Sequence, residues 1–473
     1  MPVKKHISML AALGASALLT LTGCSSDQPE EQTEAWSPEN PFPSTYQVPD
    51  SPPLLVRSAS VYNGTGEQLE GVDVLVQDGK FVAIGEDLDA PRGATVIDAE
   101  GKWLTPGLID VHSHMGVYPS PATDNHADGN EMTAPVTAQV WAEHSIWPQD
   151  PQWEKALAGG VTTALILPGS GNLIGGRGVT VKNIRSTTVQ GMKFPGAPYS
   201  LKMACGENPK RVYGERNQLP STRMGNMAAF RQAWAEAAEY KIEWDTYHAA
   251  LESGDNSAEA PERDLKLDTL MEVLNGNIRI HNHCYRADEM AQMMDMAREF
   301  DYKITAFHHA IEAYKLAPQL ADADICAVVW ADWWGFKQEA FDMVRENLAL
   351  LEKAGACAII HSDDAFQVQR LNQEVAKAYS AARRMGMDMT RGEAMRWLTL
   401  NAATSLGLAD QIGSIEAGKN ADLVLWTEDP FSVYALAEKV WIDGTLTYDL
   451  NNPSVAGTSD FNIGIINPEE NRP

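Results

Sequence analysis

The sequence predicts an α/β chain: a (β/α)8 TIM barrel with a small β-sandwich domain assembled from the N- and C-terminal segments. Three observations predict it. Eight apolar, strand-like runs lie between residue 107 and about residue 400, helical stretches fall between most of them, and the segments on either side both read as short strands separated by turns. An open doubly wound sheet is the alternative for the same alternation.

The first element in order is not part of the fold. Lys4 and Lys5 precede an apolar run, Ile7 to Leu21, that ends in Leu21-Thr22-Gly23-Cys24, and residues 1–23 read as a signal peptide. The run is too short to span a bilayer comfortably. Residues 24–53 are rich in Pro, Glu, Ser and Gln, a composition that buries too little apolar surface to fold, and read as a disordered tether. Strand texture begins at Leu54 and continues through Val72 to Gln77, Lys80 to Ile84 and Ala94 to Asp98, with turns such as Asp78-Gly79 between them. Segment 54–106 is therefore one part of the sandwich. Segment 411–450 is the other, through Ile412 to Ile415, Ala421 to Trp426, Val440 to Ile442 and Thr445 to Tyr448, and 451–473 is a tail.

The barrel is placed at 107–410. Its strand candidates are 107–112, 161–167, 178–184, 199–205, 278–283, 303–309, 325–330 and 357–362, with helices such as Asp150 to Ala158, Asp288 to Phe300, Gln338 to Lys353 and Gln367 to Met385. This alternation implies a parallel sheet, and its length fits a barrel of typically ~250 residues. Residues 206–277 form the irregular interval, with a helical region from Met224 to Leu251 and a polar loop from Glu252 to Glu262, an insertion of the kind that shapes a pocket.

Composition narrows the class. The 473 residues are 44% hydrophobic and 21% charged, as in a globular protein. The formal charge of −27, about −29 once Lys4 and Lys5 are removed, argues against a nucleic-acid partner. Besides Cys24 there are Cys205, Cys284, Cys326 and Cys357, none in a CxxC and each in or just after an apolar run. Two disulfides are open to them in an oxidising compartment. Buried free thiols are the expectation, because cysteine is among the most buried residue types.

The strand ends carry the chemistry. His112 and His114 lie two apart at the end of the first barrel strand and so point the same way, and histidine is the commonest metal ligand. The fifth strand ends in His281-Asn-His283, the sixth in His308-His309 and the eighth in His361-Ser-Asp363-Asp364. Four such clusters at four strand ends point to a metal centre. As neighbours on a strand, His308 and His309 are expected to face opposite sides, so that only one enters the barrel. Lys210, Arg211, Arg216 and Arg223 follow the fourth strand, either as a grip for a substrate carboxylate or as solvated loop charges. Trp330, Trp333 and Trp334 either line a pocket or pack as core or rim, and His6, His126, His144 and His248 are read as non-catalytic.

These clusters, together with Leu104-Thr-Pro-Gly-Leu-Ile-Asp-Val-His-Ser-His114 and Gly413-Ser-Ile-Glu-Ala-Gly-Lys-Asn-Ala-Asp-Leu-Val424, resemble the amidohydrolase superfamily of metal-dependent hydrolases over the whole chain. Leu201-Lys-Met-Ala-Cys-Gly-Glu-Asn-Pro-Lys-Arg-Val-Tyr-Gly214, with Ser221-Thr-Arg-Met-Gly225, is similar to a subgroup near imidazolonepropionase and prolidase-like amidohydrolases. The ending at Cys24 resembles a bacterial lipoprotein signal, which implies a lipid on Cys24. Ser25 after it implies the outer membrane, facing the periplasm.

The amidohydrolase resemblance implies that His112 and His114 bind a first metal and that His281 (preferred to His283) and His309 (preferred to His308) bind a second. It implies that Asp363, preferred to Asp364, meets the catalytic water. The bridging ligand is either a carboxylated Lys202 or Glu207, and a single-metal site stays open. The cofactor implied is one or two divalent ions, zinc foremost. The activity implied is attack of a metal-activated water on an amide-type C–N bond of a small, cyclic or dipeptide-like substrate, with Lys210, Arg211 and Arg223 as substrate-binding residues. Deamination on the same site, and a non-catalytic binding lipoprotein with a vestigial metal site, are the alternatives. The partners implied are a small-molecule substrate, a membrane reached only through the lipid, and a second copy of the chain in a homo-oligomer.

Overall fold

The sixteen strands of the computed structural model, which describes residues 40–456, divide into two eight-stranded sheets. The signal peptide, Cys24, the first part of the tether and the last part of the tail lie outside the described residues. The first sheet takes β1 (Leu54–Tyr62), β2 (Gln68–Gln77), β3 (Lys80–Gly85), β4 (Thr95–Asp98) and β5 (Trp103–Pro106) from one end of the chain. The barrel strands follow: β6 (Leu108–Ser113), β7 (Val161–Ile166), β8 (Ile174–Lys182), β9 (Ser200–Ala204), β10 (Arg279–His283), β11 (Ile304–His308), β12 (Cys326–Val329) and β13 (Ala358–Ile360). Strands β14 (Leu423–Trp426), β15 (Ala437–Ile442) and β16 (Thr445–Asp449) then complete the first sheet.

The two ends of the chain meet where β14 runs antiparallel to β5, pairing Leu423 with Pro106 and Trp426 with Trp103. The strand order is β16-β15-β14-β5-β1-β2-β3, with β4 beside β1. This is one continuous sheet, where the sequence suggests a sandwich of two. Strand β1 is irregular around Ser58, a residue at φ 57. Residues 54–57 pair with β4 and residues 60–61 with β5, so one strand serves both neighbours. Val56, Val61, Val74, Phe81, Leu104, Leu423 and Trp441 form the apolar core of this sheet.

The barrel strands are ordered as in the sequence, β6 through β13. They are parallel except β8, which runs antiparallel to both β7 and β9. The expectation of an all-parallel barrel is corrected here, and the cause is the connection. Residues 167–173 are too few to carry the crossover that a parallel neighbour needs. The result is a TIM-barrel-type α/β fold in a nearly closed sheet. A second correction concerns the region read as helix from Gln338: the helix spans only Asn347–Lys353, and a loop with a short 3-10 turn at Gln338–Ala340 precedes it. The insertion after β9 forms a 30-residue helix, Arg223–Glu252, whose first turn is capped by the Thr222 side chain accepting from Gly225 N. It packs through Phe230 and Trp234, the latter on Tyr302 with ring centroids 4.4 Å apart.

The last part of the expected tether also belongs to the fold. Ser44 Oγ donates to Lys193 O at 2.7 Å, and Tyr46 OH donates to Asp443 Oδ2 at 2.6 Å. Asp443 in turn meets Lys182 Nζ of β8 at 2.8 Å, so one buried group joins the N-terminal segment, the barrel and the loop between β15 and β16. Among the described residues, no helix is long and apolar enough to cross a membrane.

The four cysteines are paired, Cys205 with Cys284 and Cys326 with Cys357, against the expectation of free thiols. Each pair joins neighbouring strands. Cys205 and Cys284 directly follow β9 and β10, whereas Cys326 opens β12 and Cys357 directly precedes β13. In the unfolded soluble chain starting after Cys24, a thiol reagent is expected to find no reactive cysteine before reduction and all four after it. The Cys326→Ser/Cys357→Ser variant is expected to lose about 2–4 kcal/mol of unfolding free energy, read from denaturant midpoints.

Candidate metal centre

The ends of β6, β9, β10, β11 and β13 converge on one buried group. His114 Nδ1 lies 2.9 Å from Leu167 O, and because a carbonyl only accepts, this nitrogen carries the proton. His114 Nε2 lies 3.1 Å from Asp363 Oδ1. His112 Nε2 sits 3.5 Å from the same oxygen and 3.1 Å from Lys202 Nζ. Two imidazole nitrogens and a carboxylate oxygen converging on one point form a donor set that fits a divalent ion.

Two groups of donor atoms, each within 4.8 Å of one another, could hold an ion: His112, His114 and Asp363, and His112, His309 and His361. His112 is common to both. Asp363 Oδ2 lies 3.6 Å from His309 Nε2, and His309 Nδ1 lies 2.7 Å from His361 Nε2. Burial keeps these rings neutral: it holds His112, His283, His308 and His309 well below the usual histidine range and lowers His361 to about 4 and His281 to about 3. A neutral imidazole is the metal-binding form. Burial pushes the Lys202 amine down to about 7 against the opposing pull of Asp363. For Asp363, burial acts upward, but the hydrogen bond and charge of His114, with His361 and Lys202, outweigh it and hold the carboxyl below its ordinary value.

The histidine doublet corrects the strand argument. Strand β11 ends at His308, and His309 stands beyond it at φ 56, in the left-handed region, so the alternation of faces does not extend to it. Both rings are buried in the site. His308 Nδ1 is 2.8 Å from His112 Nδ1, and its Nε2 is 2.8 Å from His281 Nδ1. His281 thus reaches the centre through His308, while His283 packs its ring 4.8 Å from that of His309. His361 was not among the sequence-predicted ligands. Its signal is the His361-Ser-Asp363 spacing, which repeats the i, i+2 arrangement of His112 and His114.

The remaining expected site residues divide. Trp330 stacks on His309 (4.5 Å, 21°) and His361 (5.0 Å, 24°) and so walls the centre. Trp333 packs against Trp330 at 4.9 Å, and Trp334 lies further out beneath Arg345. Asp364 caps the following turn, accepting from Phe366 N and Gln367 N. Glu207 opens the helix Glu207–Gly214 and pairs with Lys337 at 3.5 Å, where Lys202 meets His112 directly. Arg223 is committed to Glu289 at 3.0 Å and to Glu339. Lys210 and Arg211 lie on the same short helix as Glu207, Arg211 exposed and Lys210 partly so.

Asp110, two residues before His112, is a further buried member. It accepts from His112 N (3.2 Å), Ser362 N (3.3 Å) and the Ser362 hydroxyl, joining the first barrel strand to the end of the last. Burial raises its carboxyl to about 6 although all three donors oppose the shift.

A barrel that gathers histidine, lysine and aspartate side chains at its strand ends is an architecture that hydrolases use, and its donor set could hold a metal ion. The chain belongs to the amidohydrolase family, whose model matches residues 103–459. It is 32% identical over 434 residues to the amidohydrolase tasK of Hapsidospora irregularis, a match that covers 84% of this chain and only 43% of that longer protein. With an imidazolonepropionase of Mesorhizobium japonicum it shares 22% identity over 374 residues, covering 75% of this chain and 85% of the relative. The crystal structure of an amidohydrolase from Thermotoga maritima MSB8 is similar at a TM-score of 0.77 and 37% identity, over 84% of this chain and 100% of that one.

Asp110→Ala leaves Ser362 and His112 N without their acceptor. It is expected to lower the unfolding free energy by about 3 kcal/mol in urea titrations. A loss under about 1 kcal/mol would show that barrel closure does not depend on this carboxylate.

Proposed function

We propose that the protein is a metal-dependent amidohydrolase that cleaves an amide-type C–N bond of a small substrate with water. The observation that carries the reading is the convergence of His114 Nε2, at 3.1 Å, and His112 Nε2, at 3.5 Å, on Asp363 Oδ1. His112, His114 and Asp363 would hold one divalent ion, zinc foremost. Lys202, 3.1 Å from His112 and lowered to about 7 by burial, would after carboxylation help to hold a second ion with His309 and His361. Such an ion lowers the pKa of a bound water to about 7 and polarises a carbonyl.

The chain's own residues supply the rest. Asp363, ionised in the folded protein, takes the proton of the attacking water and returns it to the leaving nitrogen, one carboxylate acting as base and then as acid. Trp330, stacked on His309 and His361, excludes water from that face and fixes both rings. The assignment of Lys202 in preference to Glu207 rests on position, since Glu207 faces Lys337. We also propose that the mature chain is lipid-anchored through Cys24 at the outer membrane, facing the periplasm.

In metal-replete protein, Asp363→Asn is expected to reduce kcat on an amide substrate at least ~100-fold. Full turnover would sink the mechanism. Lys202→Met is expected to bind no more than one ion per chain in metal analysis, whereas two ions in that variant would remove Lys202 from the centre.

A further inference from the structure

The loop after β12 runs from Trp330, stacked on His309 and His361, to the buried carboxylate of Glu339, which fastens it. Glu339 Oε2 accepts from Glu207 N at 3.0 Å, and Oε1 pairs with Arg223. The anchoring fixes Lys337, whose Nζ lies 4.2 Å above the Tyr285 ring and donates to Asn208 Oδ1 at 3.2 Å. Both neighbours touch the histidines. Tyr285 stacks on His309 (5.7 Å, 30°), and Asn208 Nδ2 approaches His283 Nε2 at 3.5 Å. Lys337 therefore stands one side chain away from His283 and from His309.

Its charge is loosely matched. The nearest carboxylate oxygen, Glu207 Oε1, is 3.5 Å away, whereas Lys182 and Asp443 approach to 2.8 Å and Lys377 and Asp332 to 2.6 Å. Tight charge-assisted contacts are ~2.7–2.9 Å long. The Lys337 side chain is only 18% exposed and that of Glu207 27%, so the lysine is the more deeply held of the two and Glu207 has the freer path to water. Arg223 offers no comparable opening, because two carboxylates already hold it.

We propose that Lys337 is the specificity-determining cation of this site and selects amides that carry a carboxylate a few bonds from the scissile C–N bond, such as N-acyl amino acids and cyclic amido acids. An arriving carboxylate displaces Glu207 and exchanges a loose partner for a tight one above the Tyr285 ring. The inference rests on the hydrolase reading for its substrate class and on the loop geometry for its residue.

The test uses N-formyl and N-acetyl amino acids, each beside its neutral carboxamide. The metal-loaded wild type is expected to favour the acid by about tenfold or more in kcat/KM. Lys337→Met is expected to erase that preference, chiefly through KM, and Lys337→Arg to restore part of it. Lys303→Met, which removes an exposed lysine just before β11, should keep the preference. Equal turnover of acid and carboxamide by the wild type, or an unchanged preference in Lys337→Met, overturns the proposal. Calorimetric binding of the same acids to Asp363→Asn protein reads the site without turnover. Adding Lys337→Met should weaken that binding about tenfold, and unchanged binding overturns the assignment. Lys337-dependent binding with no turnover of any pair by the wild type would leave the anion site standing and reject the hydrolase reading.

Discussion

The contact on which the site depends is the one that closes the barrel. Strands β6 and β13 are the two ends of the sheet, and between them the ladder is replaced by Asp110, which accepts from Ser362, and by Asp363 N, which donates to His112 O at 3.1 Å. The same few atoms bring Asp363 onto His112 and His114 across some 250 residues of chain. Hydrogen bonding at the seam thus sets the spacing of the donor atoms, and the apolar packing around the strands supplies the rigidity that holds it. A buried carboxylate is costly unless its oxygens are satisfied, and Asp110 is the case where three donors satisfy it.

Around that seam the electrostatics follow from dryness. Seven imidazoles and one lysine gather near the Asp363 carboxylate, an arrangement that would be repulsive if they were all charged. Burial removes the proton from six of these rings and lowers the lysine to about 7, which readies the group for an ion. Two non-glycine residues of the centre, His309 and Asp363, hold left-handed backbone, at φ 56 and φ 55. Residues in sparsely populated backbone regions persist only where their surroundings over-determine them. Here the surroundings are the stacked Trp330 on one side and the β6 seam on the other, and the conformation turns both side chains inward from just past a strand end.

Much of this architecture was legible in the sequence because it depends on local pattern. All eight barrel strands lie where apolar runs end in turns, and the two-residue spacing of His112 and His114 gives their common direction. Strand periodicity carries no sense of chain direction, so the sequence alone suggests a parallel β8, although the interval 168–177 between the two candidates is already short for a crossover. The cysteines were misread for want of topology. Once β9 and β10, and β12 and β13, are neighbours in a barrel, Cys205 must meet Cys284 and Cys326 must meet Cys357, because each pair sits at the same height on adjacent strands. His308 escaped because the rule of alternating faces stops where the strand stops.

The cations after β9 show how charge in a loop can be structural. Cys205-Gly206-Glu207-Asn208 carries four different jobs in four consecutive positions. Cys205 ties β9 to β10 through Cys284, and Asn208 reaches His283. Gly206 is at φ 83, and a Cβ there would lie 2.8 Å from Glu339 Oε2, so backbone conformation and close approach both demand glycine. That clearance lets Glu339 sit against Glu207 N while holding Arg223, and it ties the loop after β12 to the loop after β9. The arginine that looked available for substrate is consumed in building the mouth. The lysine that the same construction places over Tyr285 is Lys337, whose nearest carboxylate oxygen, on Glu207, is 3.5 Å away.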